Sequence, residues 1–150
     1  MQLRYFLADD AIRLNLGGAT ADDILAELVN LLHLDERSSS TLLKIVKRRE
    51  ELGSTGVGRG IAIPHGRSLV VNRLQMAFGR HPEGLPYRAI DDRPAHHFFL
   101  IVAPPVEVSN QYLPVLGKIA QLAKEPDVPE RLAALTSPEE FFRLLEEKGV

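Results

Sequence analysis

Residues 96–105 read "HHFFLIVAPP", and from Phe98 to Ala103 the run is apolar without a break. A strand with one wet face alternates; a run as uniform as this one reads as a central strand buried on both faces. Two more segments, "GIAIP" and "LQMAFGR", read as further strands, and "AIRLNL" alternates as a strand near the N-terminus. Helical patterns flank this block. "GGAT" offers Thr20 as a cap for "ADDILAELVNLLHL", with acidic residues in its first turn, which predicts a helix over about 21–34. The serines at 38–40 supply a second cap for "TLLKIVKRREEL", which Gly53 ends. "QYLPVLGKIAQLAK", "VPERLAAL" and "SPEEFFRLLEEKG" follow the strands as helices, the last capped by Ser137 with Pro138 in the first turn. The stretch at 81–95 is expected to be irregular. Helices before and after a block of strands make an α/β layered domain, and a chain of 150 residues suits a single domain over 1–150.

Composition narrows the chemistry. A net charge of -2 provides no basic excess for nucleic acid. With no cysteine, disulfides, a catalytic thiol and cysteine-ligated zinc are excluded. "MQLRYFLADDAIRLNL" has charges interrupting every apolar run, so it reads neither as a secretory leader nor as a membrane span, and the chain is expected in the cytoplasm without membrane insertion.

The densest chemistry lies in "RREELGSTGVGRGIAIPHGR", residues 48–67. The P-loop template fails, because Arg59 and Gly60 stand where lysine and hydroxyl belong and a helix precedes the loop. The dinucleotide fingerprint fails too: Gly56, Gly58 and Gly60 are wrongly spaced and lead into a strand. A plain helix-to-strand turn is one account of the glycines. The flanks suggest another. On a helical wheel Arg49 falls within about 15° of the centre of the apolar stripe, either to lay its stem over the core or pair with a carboxylate, or to serve as an anion receptor. Pro64 stiffens the backbone before His65, and Gly66 leaves room beside the imidazole. Neutral imidazole is a good nucleophile near neutral pH and can take a phosphoryl group on nitrogen. Backbone N–H groups of the loop, among them Gly56 and Gly58, the hydroxyls of Ser54 and Thr55, and the Arg49 fork would surround its oxygens without a metal or other cofactor.

These residues resemble a known family. "RREELGSTGVGRGIAIPHG" is similar to the motif of the type-2 enzyme IIA domains, the fructose/mannitol type, of the bacterial phosphoenolpyruvate-dependent phosphotransferase system, and the nitrogen-regulatory members look most similar. "AIDDRPAHHFFLIVAPP" is similar to the family's approach to its central strand. The resemblance implies a mixed β-sheet sandwiched between α-helices. It also implies that His65 accepts phosphate from the phosphocarrier protein HPr or a paralogue, with Arg49 stabilising the phosphoryl group. Transporting members pass the phosphate to a IIB domain; regulatory members bind partner proteins according to phosphorylation state. No turnover of a small substrate by the domain alone is implied. One departure stands out: where the family commonly has a second active-site histidine, this chain has Tyr112. Tyr112 is either a core residue or a pocket wall with its hydroxyl turned inward, near the N-terminus of a helix that starts about residue 110 or 111. Its presence leads to the expectation that His65 is phosphorylated while onward transfer to a transporter is altered or absent.

The remaining ionisable residues read as structural. His96 and His97 must point to opposite faces of a strand and cannot share a metal. His33 would meet the C-terminal dipole of the first helix. His81 lies in a Pro/Gly-rich stretch, and Asp91 and Asp92 read as turn formers.

Overall fold

The structure is a computed structural model that describes residues 2–107 and 110–150. The apolar run forms β6 (Ala95–Ala103), in which every residue except His96 is buried. Its side chains alternate between two cores: Phe99, Ile101 and Ala103 enter one, Phe98, Leu100 and Val102 the other. β5 (Gln75–Leu85) lies antiparallel to β6, and β1 (Leu7–Arg13) runs parallel to β5 on the outer side. On the other flank β3 (Ile61–Ala62) and β4 (His65–Arg67) both pair parallel with β6, and β2 (Gly56–Gly58) closes that edge antiparallel to β3. The strand order is β1-β5-β6-β3-β2.

Helices cover both faces. α1 (Ala21–Asn30) and α2 (Glu36–Leu52) bury Ile24, Leu25, Leu28, Leu42 and Val46 against one side. α3 (Tyr112–Lys124), α4 (Val128–Ala133) and α5 (Pro138–Glu147) bury Val115, Ile119, Leu132 and Phe141 against the other. This is the expected mixed sheet between helices. Two arginines tie the layers at their ends. Arg80 donates from Nε to the Leu14 carbonyl and from Nη1 to the carbonyls of Leu132, Ala133 and Leu135, satisfying the C-terminal end of α4. Arg59 donates to the carbonyls of Ala123, Glu125 and Pro126 at the end of α3, where the helix dipole favours a cation.

The structure corrects several boundaries. α1 stops at Asn30, short of residue 34, because His33 takes a left-handed φ of 54° and turns its Nε2 to Asp10 at 3.1 Å instead of meeting the helix end. The cap of α2 is Asp35, which accepts from Ser38 N at 2.8 Å and Ser38 Oγ at 3.0 Å, so the serine run lies inside the first turns. The first third of the stretch at 81–95 belongs to β5, which continues to Leu85 through a shift of register after Arg80, and Ala95 opens β6, while 86–94 form no helix or strand, as expected. β1 pairs only with the part of β5 up to Gly79, so the missing N–H of Pro82 leaves no ladder bond unmade on that side. "GIAIP" is divided: the chain leaves β3 after Ala62 and resumes as β4 at His65.

Candidate functional site

The break at Pro64 presents His65. Ile101 N donates to the Pro64 carbonyl at 3.0 Å, and His65, Gly66 and Arg67 then run beside Ile101, Val102 and Ala103. Successive residues of a strand face opposite sides. Gly66 therefore faces α2, where an added Cβ would come within 3.2 Å of Ile45 Cγ2, while His65 and Arg67 share the face covered by α3. His65 is half-buried, and its Nδ1 sits 2.7 Å from the Ile63 carbonyl oxygen. A carbonyl only accepts, so this contact requires the proton on Nδ1 and leaves the lone pair of the neutral ring on Nε2.

Tyr112 opens α3 and is a core residue. It is buried with Val115 and Ile119, and its ring lies edge-on to His65 with centroids 6.1 Å apart. The Arg67 guanidinium stacks 4.2 Å above the same ring and donates from Nη1 to the Pro104 carbonyl at 3.0 Å. Burial pushes the Tyr112 hydroxyl above the ordinary tyrosine range, against the opposing pull of Arg67 and Arg49, so it stays protonated near neutral pH. The first amide of α3 already has an anion: Tyr112 N donates to Glu107 Oε1 at 3.0 Å. A carboxylate of the chain itself thus uses the helix end that the sequence offered to phosphate.

Arg49 lies in the last turn of α2 and folds back so that Nη1 donates to the Gly53 carbonyl at 2.7 Å. His65, Tyr112 and Arg67 gather at one end of the sheet, and the Arg49 charge, with that of Arg67, opposes the rise of the Tyr112 hydroxyl. The loop residues assigned to phosphate by sequence have internal partners. Ser54 Oγ donates to the Tyr87 carbonyl at 2.6 Å and accepts from Gly56 N at 3.0 Å. Thr55 is buried, its hydroxyl bonded to the Glu50 carboxylate and its N–H donating to Glu50 Oε2 at 3.0 Å. Gly58, at φ 92°, pairs with Ile61 beside the Asp91 carboxylate. Asp91 in turn accepts from the N–H groups of Arg59 and Arg93, which hold its carboxyl below the usual range. These groups close the loop upon itself. Arg67 was the residue that sequence reasoning missed, although the alternation of a strand through His65 would have found it.

Residues 5–148 match the family model described as "Phosphoenolpyruvate-dependent sugar phosphotransferase system, EIIA 2". The chain belongs to this EIIA family. It is 28% identical over 149 residues to the fructose-specific EIIABC component of Bacillus subtilis, covering 97% of this chain and 23% of that protein, so it spans about a quarter of this relative's length. A nitrogen regulatory protein of Bradyrhizobium diazoefficiens is 27% identical, covering 90% of this chain and 86% of the relative. The crystal structure of the nitrogen regulatory protein IIA-Ntr from Neisseria meningitidis superimposes with a TM-score of 0.85 at 30% identity, covering 94% of this chain and 97% of that one. The mixed sheet between helices is therefore the EIIA fold. His97 and His96 lie outside the site. His97 is buried and stacked 6.4 Å from Phe78, while His96 packs on Gly84 from the opposite face. Among the described residues no helix is long and apolar enough to cross a membrane, and no group of three His, Asp or Glu side chains is placed to hold a metal ion.

Proposed function

We propose that this chain is a phosphoryl carrier of the phosphoenolpyruvate-dependent phosphotransferase system, working in the cytoplasm and taking phosphate onto His65 from the phosphohistidine of HPr or a paralogue. The observation that carries the reading is the Nδ1 contact with Ile63 O, which leaves Nε2 as the nucleophilic nitrogen. Nε2 attacks phosphorus in line with the donor's P–N bond; that bond breaks and its electron pair returns to the donor nitrogen. No proton needs to move: Nδ1–H stays on the Ile63 carbonyl, which also stabilises the positive charge that the phosphorylated ring carries. Guanidinium charge at the site lowers the energy of the migrating phosphoryl group, and at an effective dielectric near a protein surface one such pair at about 4 Å is worth about 4 kcal/mol before desolvation.

Onward transfer to a IIB domain belongs to the same reading, since the Bacillus relative is named as a joined EIIABC component. A module that only regulates partner proteins, with no onward transfer, has less support, because relatives named for sugar transport and for nitrogen regulation both match along nearly all of the chain. The test is incubation with phosphoenolpyruvate, enzyme I and HPr. An acid-labile phosphate on wild type that is absent from His65→Ala is the expected result; an unlabelled wild type, or an undiminished label on His65→Ala, would sink the reading.

A further inference from the structure

Arg67 and Tyr112 form a stacked pair beside the His65 ring that the carrier reading leaves unexplained. Arg67 lies two residues beyond His65 on the same face of β4, roughly 6.6 Å along the strand. Its guanidinium is fixed from two directions, by the face of the Tyr112 ring at 4.2 Å and by the Pro104 carbonyl at 3.0 Å. The same ring meets His65 edge-on at 6.1 Å, so the cation is held beside a nucleophile that the Ile63 carbonyl already orients. A neutral tyrosine keeps the negative ring face that attracts a guanidinium, and burial of Tyr112 holds that ring in place. Arg67 itself is exposed, always charged, and uses one of its N–H groups on Pro104 while its planar fork matches two phosphoryl oxygens.

Resting on the carrier reading, we propose that Arg67 is a second phosphoryl-binding cation at His65, and that Tyr112 is the positioning residue that holds it there. Arg49 enters from α2 and Arg67 from β4, and the charge of both reaches the Tyr112 hydroxyl. The transferring group has three equatorial oxygens, and two guanidiniums neutralise more of its charge than one.

The test measures single-turnover phosphorylation of His65 from phospho-HPr and, separately, from phosphoramidate, a small donor that needs no protein docking. Loss of a charge-assisted hydrogen bond predicts that Arg67→Ala slows the reaction from both donors by about 10- to 100-fold. Arg67→Lys recovers only part of this, lacking the planar fork. Tyr112→Leu, which keeps the core filled, loses most of what Arg67→Ala loses, whereas Tyr112→Phe retains more than half of the wild-type rate. The Arg67→Ala/Tyr112→Leu double variant is no slower than Arg67→Ala within about twofold, as residues acting through one another require. A labelled wild type with Arg67→Ala within twofold of it overturns the assignment of Arg67 alone. Independent, multiplying losses in the double variant overturn the positioning role of Tyr112. A wild type labelled by neither donor overturns the carrier reading and this inference with it.

Discussion

Two histidines point to the same side of the sheet from its two ends, and only one is equipped for chemistry. His97, near the start of β6, pairs in register with Ile61 and lies under α4, 3% exposed, with a buried Nδ1 that has no partner among the described residues. Burial, helped by the charges of His96 and Arg80 and opposed by the Pro129 backbone, pushes its imidazole down to about 4. His65 lies beside Ile101 at the far end of the same strand, half-buried, with Nδ1 held by Ile63 and with guanidiniums nearby. A ring that must stay neutral and unreachable serves as packing; a ring whose second nitrogen is oriented and open can act as nucleophile. His65 opens β4 beside Ile101, and Arg67 reaches Ala103 where β6 ends.

The contrast breaks most readily through phosphorylation. His65→Ala is expected to lose all of the phosphohistidine label while keeping its melting temperature, whereas His97→Phe keeps the label. A label that followed His97 would reverse the assignment. The next largest effect concerns the anchoring of the His97 end. Arg80→Met strands the carbonyls of Leu14, Leu132, Ala133 and Leu135 together, and a loss of about 3 to 4 kcal/mol is expected in urea unfolding. A loss below about 1 kcal/mol would show that water replaces the clamp.

Acid sharpens the comparison. The unfolded chain protonates His97 near 6.5, the folded one only near 4, so between those values the unfolded state binds more protons. Stability is therefore full above pH 6.5, falls as pH falls, and by about pH 4 has lost on the order of 3 kcal/mol. His97→Phe should flatten that window in denaturant titrations at successive pH values; an unchanged slope would mean that His97 carries none of it. The smallest effect is at the end of α3, where Arg59→Met removes a partly exposed cap on three carbonyls. A decrease of about 1 to 2 kcal/mol is expected by thermal unfolding.

How much was legible follows from which forces are local. Thr20 and Ser137 cap their helices as their positions suggest, each accepting an N–H three residues on. Asp35 was hidden because the residues before it continue an apolar pattern, and only the left-handed turn at His33 shows that α1 has already ended. Ser54 and Thr55 lie next to a phosphate-like loop in sequence, yet the direction of a hydroxyl depends on acceptors supplied by Glu50 and the distant Tyr87. Arg67 escaped notice because "GIAIP" reads as a strand that ends before His65; the chain resumes after Pro64 as β4, which sets His65 and Arg67 beside Ile101 and Ala103.

The continuous apolar run of β6, the helices on either side of the strand block and the loop leading to His65 follow from the amino-acid order alone, because burial, capping and proline geometry act within a few residues. The Ile63 carbonyl, two residues away, decides which nitrogen of His65 stays open, but where the Ser54 hydroxyl turns and which arginine meets Tyr112 depend on groups far apart in the chain. Pro104, Tyr112 and Tyr87 reach their partners only once the sheet has formed and both helical layers have closed on it.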